Sequence, residues 1–397
     1  MTKESSTPEK EDSMLDRIRE RLVPEAMPVD DRGRMRMVVD SLVLHLHPTK
    51  VIASTMNWNY SWGLGGLSAL LMAVLGLTGV VLQNNYTPAA PQAYLDILEI
   101  NSNVWFGELV RNLHHWSANL LIVVAVLHLI RVFATGAYRP PRELNWLIGV
   151  AMLLLVVAAN FTGYLLPWDQ LAFWAITVGT KKIERVTTIP HLVRRELVFA
   201  LAAFAVLLVF AMLVPAPLEG IANPDISPNP AKAPWYFMGL QELLLHFHPL
   251  IGAIILPGLA VIGIFLLPFF DINFNSVGIY FRSHRGRSLA ILAVGIALVI
   301  TPIWVLLDEF VLNWSLWLPT WNTLLSNGLI PMAVILVPLI LLDEWTVKFF
   351  HADTEERVLF IATFLFTAFV VLTIIGIFFR GPGMALYWPW NMPVAAH

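Results

Sequence analysis

The sequence predicts an all-α fold, a polytopic transmembrane helical bundle of about seven to eight spans. Two observations point there: its composition, and the recurrence of long apolar runs. Of 397 residues, 57% are hydrophobic and only 13% charged, with a mean hydropathy of +0.68. One water-soluble core cannot hide that much apolar surface, so the excess faces lipid. Runs near the ~20 residues needed to cross a bilayer fall at about 62–83, 117–135, 145–166, 196–215, 250–270, 288–307, 325–342 and 358–379. Several hold Gly or Pro, such as Gly76, Gly79 and Pro257, which membrane helices tolerate where neighbours satisfy the backbone.

The chain has no cysteine. That removes thiolate-held iron–sulfur clusters, covalently attached haem and disulfides, and leaves His or Met to hold any iron centre. The first ~40 residues are charged and lack an apolar h-region, so they read as a cytoplasmic extension rather than a cleaved signal. Leu15–Arg21 has the pattern of a short surface helix, and His45 and His47 sit where the chain enters the first span. A net charge of −3 without a basic tract gives no sign of nucleic acid.

Pro215, Pro217, Pro224, Pro228, Pro230 and Pro234 mark 215–234 as the linker between two membrane halves. The organisation expected is an extension at 1–50, a first half at 51–180, a second half at 181–310, and further helices at 311–397. Trp314, Trp317 and Trp321, and later Trp388 and Trp390, stand where an aromatic belt is expected. Arg131, Arg139 and Arg142 place the loop after the second span in the cytoplasm, as Arg282, Arg285 and Arg287 do for the loop after the fifth. Lys181, Lys182, Arg185, Arg194 and Arg195 are basic as well, on the side where the third span should have emerged outside. The order of spans and the charges conflict there.

The second span carries Arg111-Asn112-Leu113-His114-His115-Trp116 and, without a helix breaker, His128-Leu129-Ile130-Arg131. Fourteen residues are just under four turns, so His114 and His128 share nearly one face about 21 Å apart along the axis. Histidine inside a span is costly and usually functional, and imidazole ligates haem iron. Arg111 and Arg131 each lie three residues from a histidine, within reach of haem propionates. Two histidines hydrogen-bonded between helices would give the same pattern. Gly65 and Gly79 in the first span, and Gly149 and Gly163 in the third, repeat the spacing of fourteen. They present bare backbone at two depths, as a flat macrocycle requires, although small-residue packing also uses such stripes.

Arg111-x-x-His114, His128-x-x-Arg131, Pro141-Arg142-Glu143-Leu144-Asn145-Trp146 and Gly163-Tyr164-Leu165-Leu166-Pro167-Trp168-Asp169-Gln170 closely resemble cytochrome b of quinol-oxidising bc and bf complexes. Pro217-Leu218-Glu219 and Ala233-Pro234-Trp235-Tyr236-Phe237 look like the second half of that family, and the likeness covers roughly residues 40–310. The resemblance implies b haem on His114 and His128, with a quinol pocket bordered by Tyr164, Pro167 and Trp168 on one side and Pro234, Trp235 and Tyr236 on the other. It implies a multisubunit, dimeric complex in a bacterial inner membrane, with a Rieske-type or other iron–sulfur protein and a cytochrome c as partners.

Two departures qualify this. The family's glutamate before Trp-Tyr is replaced by Pro234, leaving Glu242 as a substitute proton acceptor or a helix-end carboxylate. No span fits between Thr180 and Glu196, so the family's fourth helix, which carries one further histidine to each haem, is missing. His191 stands alone, and Met212 is better read as packing than as a ligand. The haems, one or two, could then take their other ligands from a partner chain or keep a single histidine; alternatively the chain is a degenerate, haem-poor scaffold anchoring other redox subunits.

Overall fold

The computed structural model describes residues 62–139, 142–170, 193–223, 228–269, 280–281, 283–312 and 314–393, with backbone alone at 193–200 and 315. The expectations for the extension, for His45 and His47 and for His191 lie outside the described residues.

The helices in chain order are α1 Leu64–Gln83, α2 Gln92–Ser102, α3 Gly107–Ala134, α4 Glu143–Tyr164, α5 Val193–Leu213 and α6 Met238–His246. Next come α7 Leu250–Phe269, α8 His284–Phe310, α9 Trp314–Trp317, α10 Leu325–Phe350 and α11 Thr354–Phe378. Seven of them are long and apolar enough to cross a membrane; α5 adds a shorter apolar stretch, Leu201–Leu213. Among the described residues there is no strand, only isolated bridges such as Asp169 to Ile221. The predicted fold class holds. Several helices outrun their apolar runs: α3 starts at Gly107 rather than 117, and α10 continues to Phe350. The polar first turns of α3 bond the chain after α5, and the last turns of α10 bond Arg285 of α8 and Arg357 of α11.

Local chemistry sets several ends. Asp353 caps α11 in a reciprocal box with Glu356, which answers two of the amides a helix start leaves open. Ser283 caps α8 by accepting from the Gly286 amide.

Packing follows from small residues and polar ties, since lipid gives helices no hydrophobic reason to associate. α8 presents Leu289, Ala293 and Ala297 to Phe360 and Phe364 of α11. α1, α3 and α5 share a core of Leu67, Leu71, Val74, Leu121, Ile122, Leu207 and Ala211. Tyr138, Trp146, Val150 and Leu267 join the end of α3, the start of α4 and the end of α7, and the Trp146 indole donates to the Ile264 carbonyl at 2.7 Å.

These contacts sort the loops to two ends. At one end, Arg139 pairs with Glu355 at 2.6 Å, the Phe281 amide donates to the Ala134 carbonyl, and Arg285 pairs with Glu356 at 2.7 Å. The basic loops after α3 and before α8 therefore share an end, as the charge pattern predicted. At the other end, the Asn160 amide donates to Ala118, which sets the end of α4 beside the start of α3. Asn112 binds Ala211 there, so α5 finishes at the same place. α4 and α5 are thus parallel. Gln170, bonded to Gly220 and Asn223, lies on the order of 30 Å of helix from the start of α5. The basic loops after α3 and before α8 thus agree in orientation, although α4 and α5 run in the same direction.

Arg139→Ala removes a pair whose side chains are 1% and 9% exposed. Breaking a buried pair costs roughly 3–5 kcal/mol, so the variant should unfold at a clearly lower fraction of SDS in micelles, followed by circular dichroism.

Candidate functional site

α1 and α3 run antiparallel with a register fixed at two points. A Cβ added to Gly79 would meet the His114 ring at 3.3 Å, and one added to Gly65 would meet the His128 ring at 3.3 Å. The shared spacing of fourteen is therefore one structural fact: each imidazole rests on bare backbone of the facing helix. The α4 pair differs, since nothing lies within 4 Å of a Cβ built on Gly149 or Gly163.

The two rings are held differently. Thr78 donates its hydroxyl proton to the Val74 carbonyl at 2.7 Å. It can therefore only accept from His114 Nδ1, 2.8 Å away. That assigns the proton to Nδ1 and leaves the Nε2 lone pair free, the tautomer a metal ligand needs. His128 Nδ1 is buried without a hydrogen-bond partner among the described residues. A buried orphan nitrogen, a pre-set tautomer and two glycine notches fit a ring-ligated macrocycle. The fit is one-sided: the side chains α5 packs toward α1 and α3 are apolar, and Met212 is 67% exposed, which makes it surface rather than ligand. No group of three or more His, Cys, Asp or Glu able to hold a metal occurs among the described residues.

Arg111 has backbone partners. Its guanidinium donates to the carbonyls of Ala216 at 3.1 Å and Pro217 at 2.7 Å. With Asn112 accepting from the Ala216 amide and the Trp116 indole donating to Val214, it clamps the end of α5. Arg131 lies in the last turn of α3.

The two motifs expected to flank a pocket meet. Tyr164 ends α4, Pro167 and Trp168 follow in a turn where Trp168 takes φ 53°, and Asp169 accepts from the Glu219 amide. Pro234 caps a 3-10 turn, Trp235–Phe237. Phe237 packs edge-on against Phe161 of α4 at 5.5 Å, and the Trp235 indole donates to Asn119 of α3 at 2.8 Å. Tyr236 packs against the core of α1, α3 and α5. Its buried hydroxyl has no partner among the described residues, and burial holds its pKa above the ordinary tyrosine value.

Glu242 sits in a cluster of charged side chains. It is fully buried, and Arg380 holds both its oxygens, at 2.9 and 3.0 Å. Burial alone would raise its pKa, but contacts from His246 and Arg380 outweigh this and lower it. A carboxylate stabilised this way is ionised at rest and gives up readily any proton it receives. Thr78, Asn119 and Arg380 were missed by sequence reasoning, because each acts through a partner distant in the chain. A threonine directly before a spaced glycine was the one available hint.

Residues 49–216 match the cytochrome b/b6/petB family model. Cytochrome b6 of Heliobacterium modesticaldum is 42% identical over 144 residues, 36% of this chain and 64% of that protein. The menaquinol:cytochrome c reductase cytochrome b subunit of Bacillus subtilis is 42% identical over 120 residues, 30% of this chain and 54% of that protein. The chain spans less than two thirds of the length of these relatives. A chain of a hyperthermophilic respiratory Complex III aligns over 91% of this chain and 98% of its own, with a TM-score of 0.51 at 16% identity, which is a likeness of fold. Through residues 49–216 the chain is similar to the cytochrome b family.

Proposed function

We propose that this protein is the membrane electron-transfer subunit of a quinol-oxidising bc-type complex, binding b-type haem on His114 and His128 and a quinol beside Tyr164, Pro167, Trp168, Pro234, Trp235 and Tyr236. The observation that carries the reading is the seating of both rings of α3 on Gly79 and Gly65 of α1, in a stretch that matches the cytochrome b model. Haem would supply reversible one-electron carriage by its iron. The chain's own residues do the rest: Thr78 holds the His114 tautomer, the two glycines set the depth of each ring, and Asn119 fixes Trp235 against α3.

On this reading the relevant organisation is an extension at 1–50, a haem-helix half at 51–180, a quinone-loop half at 181–310 and added helices at 311–397. Partners carrying an iron–sulfur cluster and a cytochrome c, a dimeric complex and a bacterial inner membrane complete the proposal. The apolar face of α5 favours a second reading, a haem-poor scaffold that keeps the bundle and anchors other subunits.

Haem content separates the two. Protein purified in detergent should give a pyridine haemochrome of the b type, with one or two haems per chain, and His114→Ala and His128→Ala should each reduce it. A folded protein without haem would establish the scaffold instead. The glycine notches make a further demand. Gly79→Leu places a branched side chain where a Cβ already lies 3.3 Å from the His114 ring, so it should abolish haem at that depth while leaving the helical circular dichroism unchanged.

A further inference from the structure

Below the Trp235–Phe237 turn, three helices bring five ionisable side chains to one place. Arg380, 1% exposed, chelates Glu242 and also pairs with Glu309 at 2.8 Å. His246, one turn from Glu242 on α6, points Nδ1 at Asp308 Oδ2, 2.7 Å away. Its Nε2 faces Glu242 Oε2 at 3.4 Å, a long contact that couples the two groups without a well-formed hydrogen bond. Asp308 also accepts from the Trp314 indole at 3.3 Å. Lys232 faces Glu242 electrostatically and donates to the Ile377 carbonyl at 2.8 Å.

Side-chain exposure rises in order across the cluster, from 0% at Glu242 and 2% at His246 to 12% at Asp308. A pure staple between α6, α8 and α11 needs one carboxylate for Arg380. Here three carboxylates, Glu242, Glu309 and Asp308, face two fixed cations, Arg380 and Lys232, so a protonated His246 brings the clustered charge to balance, and its proton sits between an inner and an outer carboxylate.

We propose that His246 is a proton-relay residue that carries protons from the Trp235–Phe237 side of the cluster, through Glu242, to Asp308 and the surface. This rests on the quinol reading above, in which the oxidised quinol is the proton source. A proton reaching Glu242 Oε2 passes to His246 Nε2. The imidazolium releases its Nδ1 proton to Asp308 Oδ2, water takes it from there, and a ring flip resets the tautomer. Protons alone move; the electrons leave by the redox centres. Burial would depress the imidazole, yet Asp308 and Glu242 together hold it above the usual histidine value. A relay must be empty to accept, so the rate should climb as pH rises through that raised value.

The test uses the complete complex in membranes, with menadiol as quinol, and follows the rate of haem b reduction against pH in the wild type, His246→Gln and Asp308→Asn. Haem content should stay whole, while His246→Gln slows reduction by about tenfold or more, at the low end for a lost proton-transfer group, and loses the rising limb; Asp308→Asn should be slowed less. Wild-type rates and pH profiles in both haem-replete variants overturn the relay alone. Should His246→Gln fail to assemble, Asp308→Asn decides by the same criterion, and loss of haem in both variants marks the cluster as a staple and overturns the relay. A wild-type protein without haem, or one that menadiol does not reduce, overturns the quinol reading and the relay with it.

Discussion

The register of α1 against α3 is the constraint on which the rest of the bundle depends. Helices in lipid gain little from burying apolar surface against one another, so a unique arrangement needs places where only one alignment fits. Gly65 under His128 and Gly79 under His114 are two such places on the same pair of helices. Sliding α1 by one residue would rotate its glycines by about 100° away from the rings, and sliding by a turn would drive a side chain into an imidazole. Once α3 is fixed, its outer turns fix more: Arg111, Asn112 and Trp116 fasten the end of α5, and Asn119 fastens the turn at Trp235.

Charge is the second constraint, and it is placed where it costs least. The ion pairs Arg139–Glu355 and Arg285–Glu356 lie at one end of the bundle, and the Arg380 cluster lies at the other. Each joins helices that are far apart in sequence, so the electrostatics close the carboxy-terminal helices onto the amino-terminal ones at the basic end and onto the Trp235 loop at the far end. Such pairs need not be more stabilising than apolar packing of equal volume. Their contribution here is to make one arrangement of loops compatible with no buried charge left uncompensated.

Much of this was legible in the sequence, for identifiable reasons. Span number and type follow from apolar length, which a membrane reads directly. The spacing of fourteen in His114–His128 and in Gly65–Gly79 was visible because a helix converts sequence distance into depth. What it could not give was which glycines meet the rings: α1 and α4 carry the same spacing, and only α1 uses it against the histidines. The bonds of Arg111 to the carbonyls of Ala216 and Pro217 were not legible, because a three-residue offset from His114 says nothing of a loop a hundred positions on. Nor was the pairing of Glu242, whose partner Arg380 lies 138 positions away. Roles held by a single helix were readable; roles completed by a second one were not.

α5 separates two functions that a bundle position can combine. It fills the space beside α1 and α3 with Leu207 and Ala211, and it is held by the polar side chains at the start of α3, so the scaffold does not require a ligand from it. Among the described helices the two imidazoles come from α3 alone, and the two depths are not equivalent. At the His114 level the Thr78 hydroxyl, already committed to Val74, fixes the ring's proton without help from any second ligand. At the His128 level nothing comparable restrains the ring, whose Nδ1 is buried and unsatisfied. An unsatisfied buried nitrogen is costly in a medium without water, so the His128 level gains more from a bound group or a partner's side chain than the His114 level does. The geometry that makes α5 sufficient as packing thus leaves the His128 level the less satisfied of the two.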